Sequence, residues 1–413
     1  MKLLALLLTA LLAFSATACQ KETPPNTSME FNAETDHPFY MNTLGQSQIV
    51  ESPEGFYYLQ ENENGRSFLR FIDKETLEDT IVCAKPNCLH EDQTDVSQCN
   101  AQFRLQHGIH YYKGKLYVVT AEPDPINLTY IYKLVEISLD GTQRKTVWEI
   151  DWKTSDSLPR IFLNIIHRGK LYFEVINKDN STFSPTYIYA YDIDTKKCTL
   201  VQDNLTGVSD FFAVGDYLYI KAYNEEAGDY AFFRYTISTE ELISMPQIQT
   251  VLRYKTGINN MISYTSTTYD YDLKVENPKK VDMQVDIFRA VNEKYFCEQD
   301  RTITHKESGK IVSIEEYDKE TGASRANATE EEYAEYMKQA EAYEIVWSDY
   351  LNIYDAETLT LLGTLDYSDT WTYTLYIKDD LLIRYDSFNG FAQIDLSKIG
   401  TDQFVWATPS KIN

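Results

Sequence analysis

One unit recurs along this chain: a tight turn bearing Gly or Asp, followed by a short strand of aromatic and aliphatic residues. It occurs as Glu54-Gly55-Phe56-Tyr57-Tyr58-Leu59, Gly114-Lys115-Leu116-Tyr117-Val118, Gly169-Lys170-Leu171-Tyr172-Phe173 and Gly215-Asp216-Tyr217-Leu218-Tyr219-Ile220. Looser copies are Glu293-Lys294-Tyr295-Phe296-Cys297 and Asp379-Asp380-Leu381-Leu382-Ile383. A second half-motif alternates with it, a strand ending in an Asp/Ser/Thr-rich turn. Its copies include Ile72-Asp73-Lys74-Glu75-Thr76, Ser138-Leu139-Asp140-Gly141-Thr142, Tyr191-Asp192-Ile193-Asp194-Thr195 and Tyr235-Thr236-Ile237-Ser238-Thr239. Tyr354-Asp355-Ala356-Glu357-Thr358 and Ile394-Asp395-Leu396-Ser397 continue the series, and Tyr317-Asp318-Lys319-Glu320-Thr321 is a candidate extra.

The two halves give one unit about four short strands. Gly, Asp and Asn accept the backbone of tight hairpins, and Tyr, Phe, Val and Ile suit a half-buried pleated surface. A four-stranded unit repeating every ~40–50 residues fits a propeller blade, and no blade buries both of its faces alone. The expectation is an all-β chain, a β-propeller of six blades with seven left open, carrying one helical insertion. A plain β-sandwich is the competing architecture, but sandwiches rarely repeat the same order of turn and aromatic strand.

Taken in order, blades are expected near 48–83, 108–150, 160–204 and 208–248. The rhythm then fails at 250–285, read as an insertion or a degraded blade. It resumes at 286–299 and is interrupted again near 300–346. There Thr329-Glu330-Glu331-Glu332 has the form of a capping box, and Tyr333, Tyr336, Met337, Ala340 and Tyr343 fall on one helical face. Strand character returns at 347–365, and 373–399 makes the last blade. Phe39 to Asn42 is a candidate N-terminal strand that closes the ring.

The N-terminus reads as an export signal. Met1-Lys2 precedes the apolar run Leu3 to Leu12, too short to span a bilayer. Ala16-Thr17-Ala18-Cys19 resembles a bacterial lipoprotein cleavage site, which implies residues 1–18 as signal peptide and Cys19 as the lipidated mature terminus. Residues 19–37 then form a lipidated, flexible tether and residues 38–413 the propeller domain. Partners follow: the membrane through the N-terminal lipid, with the folded part on the extracellular face. A net charge of −25 argues against nucleic acid.

Between the first two blades lies Cys83-Ala-Lys-Pro-Asn-Cys88-Leu-His90, followed by Cys99. Three readings compete for Cys83, Cys88, His90 and Cys99. They could hold a structural zinc ion as a Cys₃His set, although Cys-x₄-Cys-x-His-x₈-Cys is a loose spacing. Two of the cysteines could form a disulfide, the third pairing with Cys198 or Cys297. A redox or cofactor-attachment role lacks the Cys-x-x-Cys spacing it usually needs. No other cofactor is implied.

The signal, the Cys/His cluster and the Gly-Lys-Leu-Tyr and Asp-x-x-Thr blades together resemble propeller-type lipoproteins of Gram-positive anaerobes, in the neighbourhood of the DUF5050 group, a domain of unknown function. That resemblance implies the fold and the location and carries over no catalytic residue. The chain contains no Gly-x-Ser-x-Gly elbow, phosphate-cradling loop or His-Glu-x-x-His. Ser138-Leu139-Asp140-Gly141 with Trp148 reads as a hairpin turn beside a packed Trp, and His107, His110, His167 and His305 read as isolated. The expected function is a lipid-anchored extracellular binding or scaffold propeller with a protein or glycan ligand. The alternative is a propeller glycosidase or lyase using acidic residues in the central funnel.

Overall fold

The computed structural model describes residues 26–38, 48–91, 96–124, 129–150, 161, 163–176, 185–226, 228–246, 248, 251–254, 260–264, 268–272, 278–280, 288–292, 294–321, 330–358, 360–367, 374–386 and 390–411. The signal sequence, Cys19, Phe39 to Asn42 and the Thr329 cap therefore lie outside the described residues.

Blade one holds β1 (Ile49–Glu51), β2 (Gly55–Glu61), β3 (Ser67–Asp73), β4 (Glu78–Ile81) and β5 (Gln102–Phe103). Blade two holds β6 (Leu105–Tyr112), β7 (Lys115–Asp124), β8 (Thr129–Ser138) and β9 (Arg144–Ile150). Blade three holds β10 (Asn164–His167), β11 (Lys170–Ile176), β12 (Pro185–Asp192) and β13 (Cys198–Thr206). Blade four holds β14 (Asp210–Val214), β15 (Tyr217–Asn224), β16 (Asp229–Thr236) and β17 (Glu241–Met245). The fifth sheet holds β18 (Val251–Tyr254), β19 (Asn260–Tyr264), β20 (Thr268–Asp272) and β21 (Pro278–Lys280). Blade six holds β22 (Phe288–Val291), β23 (Tyr295–His305), β24 (Ile311–Val312), β25 (Tyr343–Asp355) and β26 (Leu361–Asp366). The last holds β27 (Thr374–Lys378), β28 (Leu381–Asp386) and β29 (Gly390–Asp395), and β30 (Ser410–Lys411) follows it.

Each blade is an antiparallel meander, and the repeat maps onto it regularly. In their described residues, all six copies of the first half-motif form the turn between the first and second strands together with the second strand. All six regular copies of the second half-motif end the third strand. Six sheets thus carry the repeat. The stretch 250–285 carries neither half, yet its described residues form a four-stranded sheet, β18 to β21 in order. It brings the sheets among the described residues to seven, six of them carrying the repeat.

The ring follows from where the apolar faces go. Leu69, Ile109, Leu116 and Ile137 share a core between blades one and two, and Leu134, Leu171, Phe173 and Tyr191 one between blades two and three. Ile165, Ile188, Leu218 and Ile220 join blades three and four, and Leu351, Ile353, Ile377 and Leu382 join blades six and seven. The circle closes where Ile49, Phe56 and Tyr58 of blade one meet Tyr376, Ile383 and Phe391 of blade seven. In each of these pairs one blade shields its neighbour's apolar side, as stacked repeat units must.

Closure comes from the C-terminus. After β29 the chain bridges Gln393 to Ala407 as a fourth position in blade seven. It then lays β30 parallel to β4 on the outer edge of blade one. Tyr385 Oη also donates to the Leu59 carbonyl across the seam.

The region near 300–346 is an extension of blade six. β23 and β25 stay paired as far as His305 and Tyr343, making a long arm. Two helices sit at its tip, α1 (Ile314–Thr321) and α2 (Glu330–Ala340), where the sequence suggested one. The candidate extra half-motif Tyr317 to Thr321 is α1, not a strand end. Its acidic and basic side chains suit an exposed helix, and Tyr317 packs edge-on against Tyr343. Of the expected apolar stripe, Met337 is exposed and Tyr336 and Ala340 are half-buried, while Tyr343, the first residue of β25, is buried in a small core with Ile303, Val312 and Tyr317.

Residues 26–38, all but the last assigned to the tether above, lie on the ring. The Lys113 amide donates to the Glu34 carbonyl at 2.8 Å and the Arg168 amide to the Thr35 carbonyl at 2.7 Å. These amides sit in the first turns of blades two and three, so successive carbonyls of one segment cap successive blades. Met29 lies against Gly215 in the first turn of blade four. Among the described residues no helix is long and apolar enough to cross a membrane.

Candidate metal centre and the strapped face

The outer strand of blade one is split. β4 pairs with the far half of β3 and β5 with its near half. Between them the chain leaves the blade at Val82 and returns at Ala101. This excursion carries Cys83, Cys88, His90 and Cys99, and its described part holds only one 3₁₀ turn, Val96–Gln98.

The structure brings all four residues together. One ligand atom from each lies within 4.8 Å of all the others, and Cys99 Sγ stands 3.9 Å from His90 Nδ1. All three cysteines are free thiols. Cys198 and Cys297 belong to other cores, between blades two and three and between blades six and seven, so neither meets the cluster. Local backbone explains the convergence. Asn87 and His90 both adopt positive φ, 61° and 54°, and the Cys88 amide donates to the Lys85 carbonyl. A turn through Pro86 and Asn87 and left-handed backbone at His90 thereby flank Cys88 and Leu89, where the one-residue gap lies.

Burial and hydrogen bonding act on the thiols in opposite directions. Burial opposes ionisation of Cys83, but the backbone amides of Lys85 and Asn100 and the neighbouring thiols outweigh it and lower its pKa. Cys99 is pushed up to about 12 by burial and by the Cys83 and Cys88 sulfurs, against the pull of the Ala101 amide. Arg144, from the first residue of β9, reaches across from blade two. Its Nη1 donates to the carbonyls of Gln102 at 2.6 Å and Cys99 at 3.0 Å, and its guanidinium stacks on Phe103. Asn100 Nδ2 donates to the Gly141 carbonyl at 2.8 Å, and the Ala84 amide to the same oxygen. The excursion is therefore a bracket between blades one and two. A cleft of about 980 Å³ opens beside it, lined by Lys85, Arg104, Lys133 and Arg144 with Glu122. Lys133 is paired with Glu122 and Arg144 with carbonyls, so those cations are already committed.

A second constellation was missed from sequence. His110 and His167, read as isolated, meet His37 of the N-terminal strap. The His37 amide donates to His167 Nδ1 at 3.1 Å, and the opposite nitrogen, Nε2, donates to the Gly215 carbonyl at 2.8 Å. His167 is thus held neutral in one tautomer. His110 Nε2 bonds Asn164 Oδ1 at 2.7 Å, and its ring lies 5.9 Å from that of His37. Burial lowers all three; His110 falls to about 4 despite the opposing bond from Asn164. No sequence signal marks this group, because its members come from three separate segments. His107 is likewise lowered to about 4 by burial, while His305 packs edge-on against Tyr343 in the arm.

The Ser138-Asp140-Gly141 segment is a hairpin turn, as read: Asp140 accepts from Ser138 Oγ and from the Thr142 amide and hydroxyl. Trp148 stacks on Tyr191 of the next blade at 4.1 Å.

No family model and no curated protein matches this sequence. Among solved structures, the chain is similar to the oligogalacturonate lyase of Vibrio parahaemolyticus, with 9% identity, TM-score 0.46, and coverage of 88% of this chain and 92% of that one. It is similar to Sqt1 of Saccharomyces cerevisiae, with 9% identity, TM-score 0.45, and coverage of 94% and 89%. It is also similar to the β-propeller domain of the Trilobed protease from Pyrococcus furiosus, with 13% identity, TM-score 0.37, and coverage of 70% and 79%. Likeness of this degree carries no functional argument, and the propeller assignment rests on the sheets themselves.

Proposed function

We propose that this chain is an exported, lipid-anchored β-propeller that binds or scaffolds an extracellular partner without catalysing a reaction. The observation that carries the reading is the opposite placement of two segments. The strap, residues 26–38, lies over the turns between first and second strands, at Lys113, Arg168 and Gly215. The arm of blade six leaves from the other ends of its second and third strands. Lipid on Cys19 would be joined to Asn26 by seven peptide steps, a reach of at most ~25 Å. The strapped face then lies toward the membrane and the arm points away from it.

The arm has the surface expected of a contact element. Ile311 on β24, Met337 on α2, and Val346 and Tyr350 on β25 are exposed, and apolar surface held out in solvent marks interaction sites. The strap, by contrast, is held to the ring by buried polar bonds, those of His37 to His167 and of Asp36 to Arg168 among them.

The test is metabolic labelling with an alkyne fatty acid in a Gram-positive host, comparing wild type with Cys19→Ser. The reading expects label and membrane retention only in the wild type. It also expects maleimide-polyethylene glycol to reach Val346→Cys on intact cells. Equal release of both proteins, or turnover of a defined glycan by the purified protein, would refute it.

A further inference from the structure

We infer that Cys83, Cys88, His90 and Cys99 bind one zinc ion, and that this ion pins the excursion of blade one to blade two.

With Zn–S near 2.3 Å and Zn–N near 2.0–2.1 Å, neighbouring ligand atoms of a tetrahedral site stand roughly 3.5–3.8 Å apart. The four atoms here, with the Cys99–His90 pair at 3.9 Å and every pair within 4.8 Å, need only slight contraction around an ion. A disulfide uses two sulfurs at about 2.05 Å and leaves the third sulfur and the imidazole without a role. Three thiolates and an imidazole are soft, borderline ligands suited to zinc, and four protein ligands leave no open position, so the site is structural and not catalytic.

The surroundings fit the charge of such a centre. Three thiolates and one Zn²⁺ sum to −1. Backbone amides of Lys85 and Asn100 donate to Cys83 and that of Ala101 to Cys99, and the guanidinium of Arg144 lies within electrostatic reach of both sulfurs. The same Arg144 holds the carbonyls of Cys99 and Gln102, so it serves as counter-charge and fastener together. Outer partners that orient ligands in this way are part of a metal site. The described part of the bracket holds only the 3₁₀ turn Val96–Gln98, and metal binding would supply the order that regular structure does not.

The experiment uses the full chain purified without reductant. Metal analysis by mass spectrometry is read alongside differential alkylation of Cys83, Cys88 and Cys99, which does not depend on the state of Cys19. The expected result is about one zinc per chain, with the three thiols blocked until the metal is stripped and then fully alkylated. Exchange with cobalt is expected to give tetrahedral d–d bands and a thiolate charge-transfer band. His90→Ala is expected to lose the metal at least tenfold more readily to a chelator, and His90→Cys to retain it. His90 is only half-buried, so these variants spare the core. Loss of metal in the alanine variant with rescue by cysteine separates ligation from general damage. Metal-free protein with reactive thiols, a disulfide within the cluster, or a bound metal other than zinc overturns the inference.

Discussion

Arg168 and Asp36, 132 positions apart, form an ion pair with both side chains almost wholly shielded from solvent, Nε to Oδ1 at 3.2 Å. Arg168 also wraps the strap with its remaining donors, reaching the carbonyls of Asn26 and Ser28. Breaking a buried pair from one side strands a charge and costs on the order of 3–5 kcal/mol. Arg168→Ala should therefore lower the unfolding free energy by about that amount. It should also make residues 26–38 the first site of limited proteolysis. A melting curve with a digestion time course tests both, and an unchanged digestion pattern would show that the strap is held by other contacts.

The strap should also respond to acid. His110 has a folded pKa of about 4, against roughly 6.5 unfolded. A depressed imidazole pKa means that the unfolded chain takes up protons first. Its contribution is complete above about pH 6.5 and is lost as pH falls toward 4, at about 1.4 kcal/mol per unit. Protonation of His167 Nδ1 would in addition oppose the His37 amide directly. Stability measured by denaturant between pH 7 and 4 should fall, and the slope should shrink in His110→Gln.

Glu174 supplies the opposite sign. It is buried on β11, where Oε1 accepts from the Leu163 amide and Oε2 finds no partner. Desolvation raises its pKa to about 8, against the pull of the Leu163 amide. A carboxyl raised in the folded state stabilises only while protonated, so its benefit fades as pH rises from about 4.5 to 8. Glu174→Gln, which keeps the shape and needs no proton, should leave stability at pH 5 nearly unchanged. It should raise stability at pH 8 by a few kcal/mol. A variant no better than wild type at pH 8 would mean that water or a cation reaches the carboxylate.

How far these features could be read from sequence depends on whether they are local. The Gly-Lys and Asp-x-x-Thr turns are local, since a few residues set the backbone of a hairpin, and all six repeats fell where the pattern put them. The fifth sheet was ambiguous because 250–285 carries neither half-motif, and β-pairing there rests on neighbours in space. The ligands of the cluster were legible as residue types. Their convergence depends on positive φ at Asn87 and His90 and on Arg144 reaching over from another blade, neither of which a spacing rule encodes. The histidine group and the Arg168–Asp36 pair were invisible because their partners meet only after the ring has formed.

Ring closure by the C-terminus gives a sharp expectation. Removing residues 405–413 deletes the Gln393–Ala407 bridge and the β30–β4 pairing, a handful of hydrogen bonds worth about 1 kcal/mol each. The core shared by blades one and seven remains. The truncated protein should still fold, with stability lower by a few kcal/mol. Faster amide exchange should be confined to β4 and β29. Loss of protection across all blades would mean that the C-terminal segment nucleates the ring and does more than latch it.

Gly141 joins the repeat to the bracket, and its replacement should separate the two. It has φ +68°, and a Cβ there would come within 2.6 Å of the Val82 carbonyl carbon and 2.7 Å of the Cys83 nitrogen. Both neighbours are backbone, so relief requires moving the strand end that presents Cys83. Gly114 occupies the equivalent left-handed conformation in its own turn, φ +71°, with nothing within 4 Å of the added atom. Gly114→Ala should therefore cost only the left-handed penalty of about 1–2 kcal/mol. Gly141→Ala should cost more than that and should also weaken cobalt binding, because the first ligand shifts with Val82. Equal losses in the two variants, with unaltered cobalt spectra, would show that the bracket moves independently of the turn it rests on.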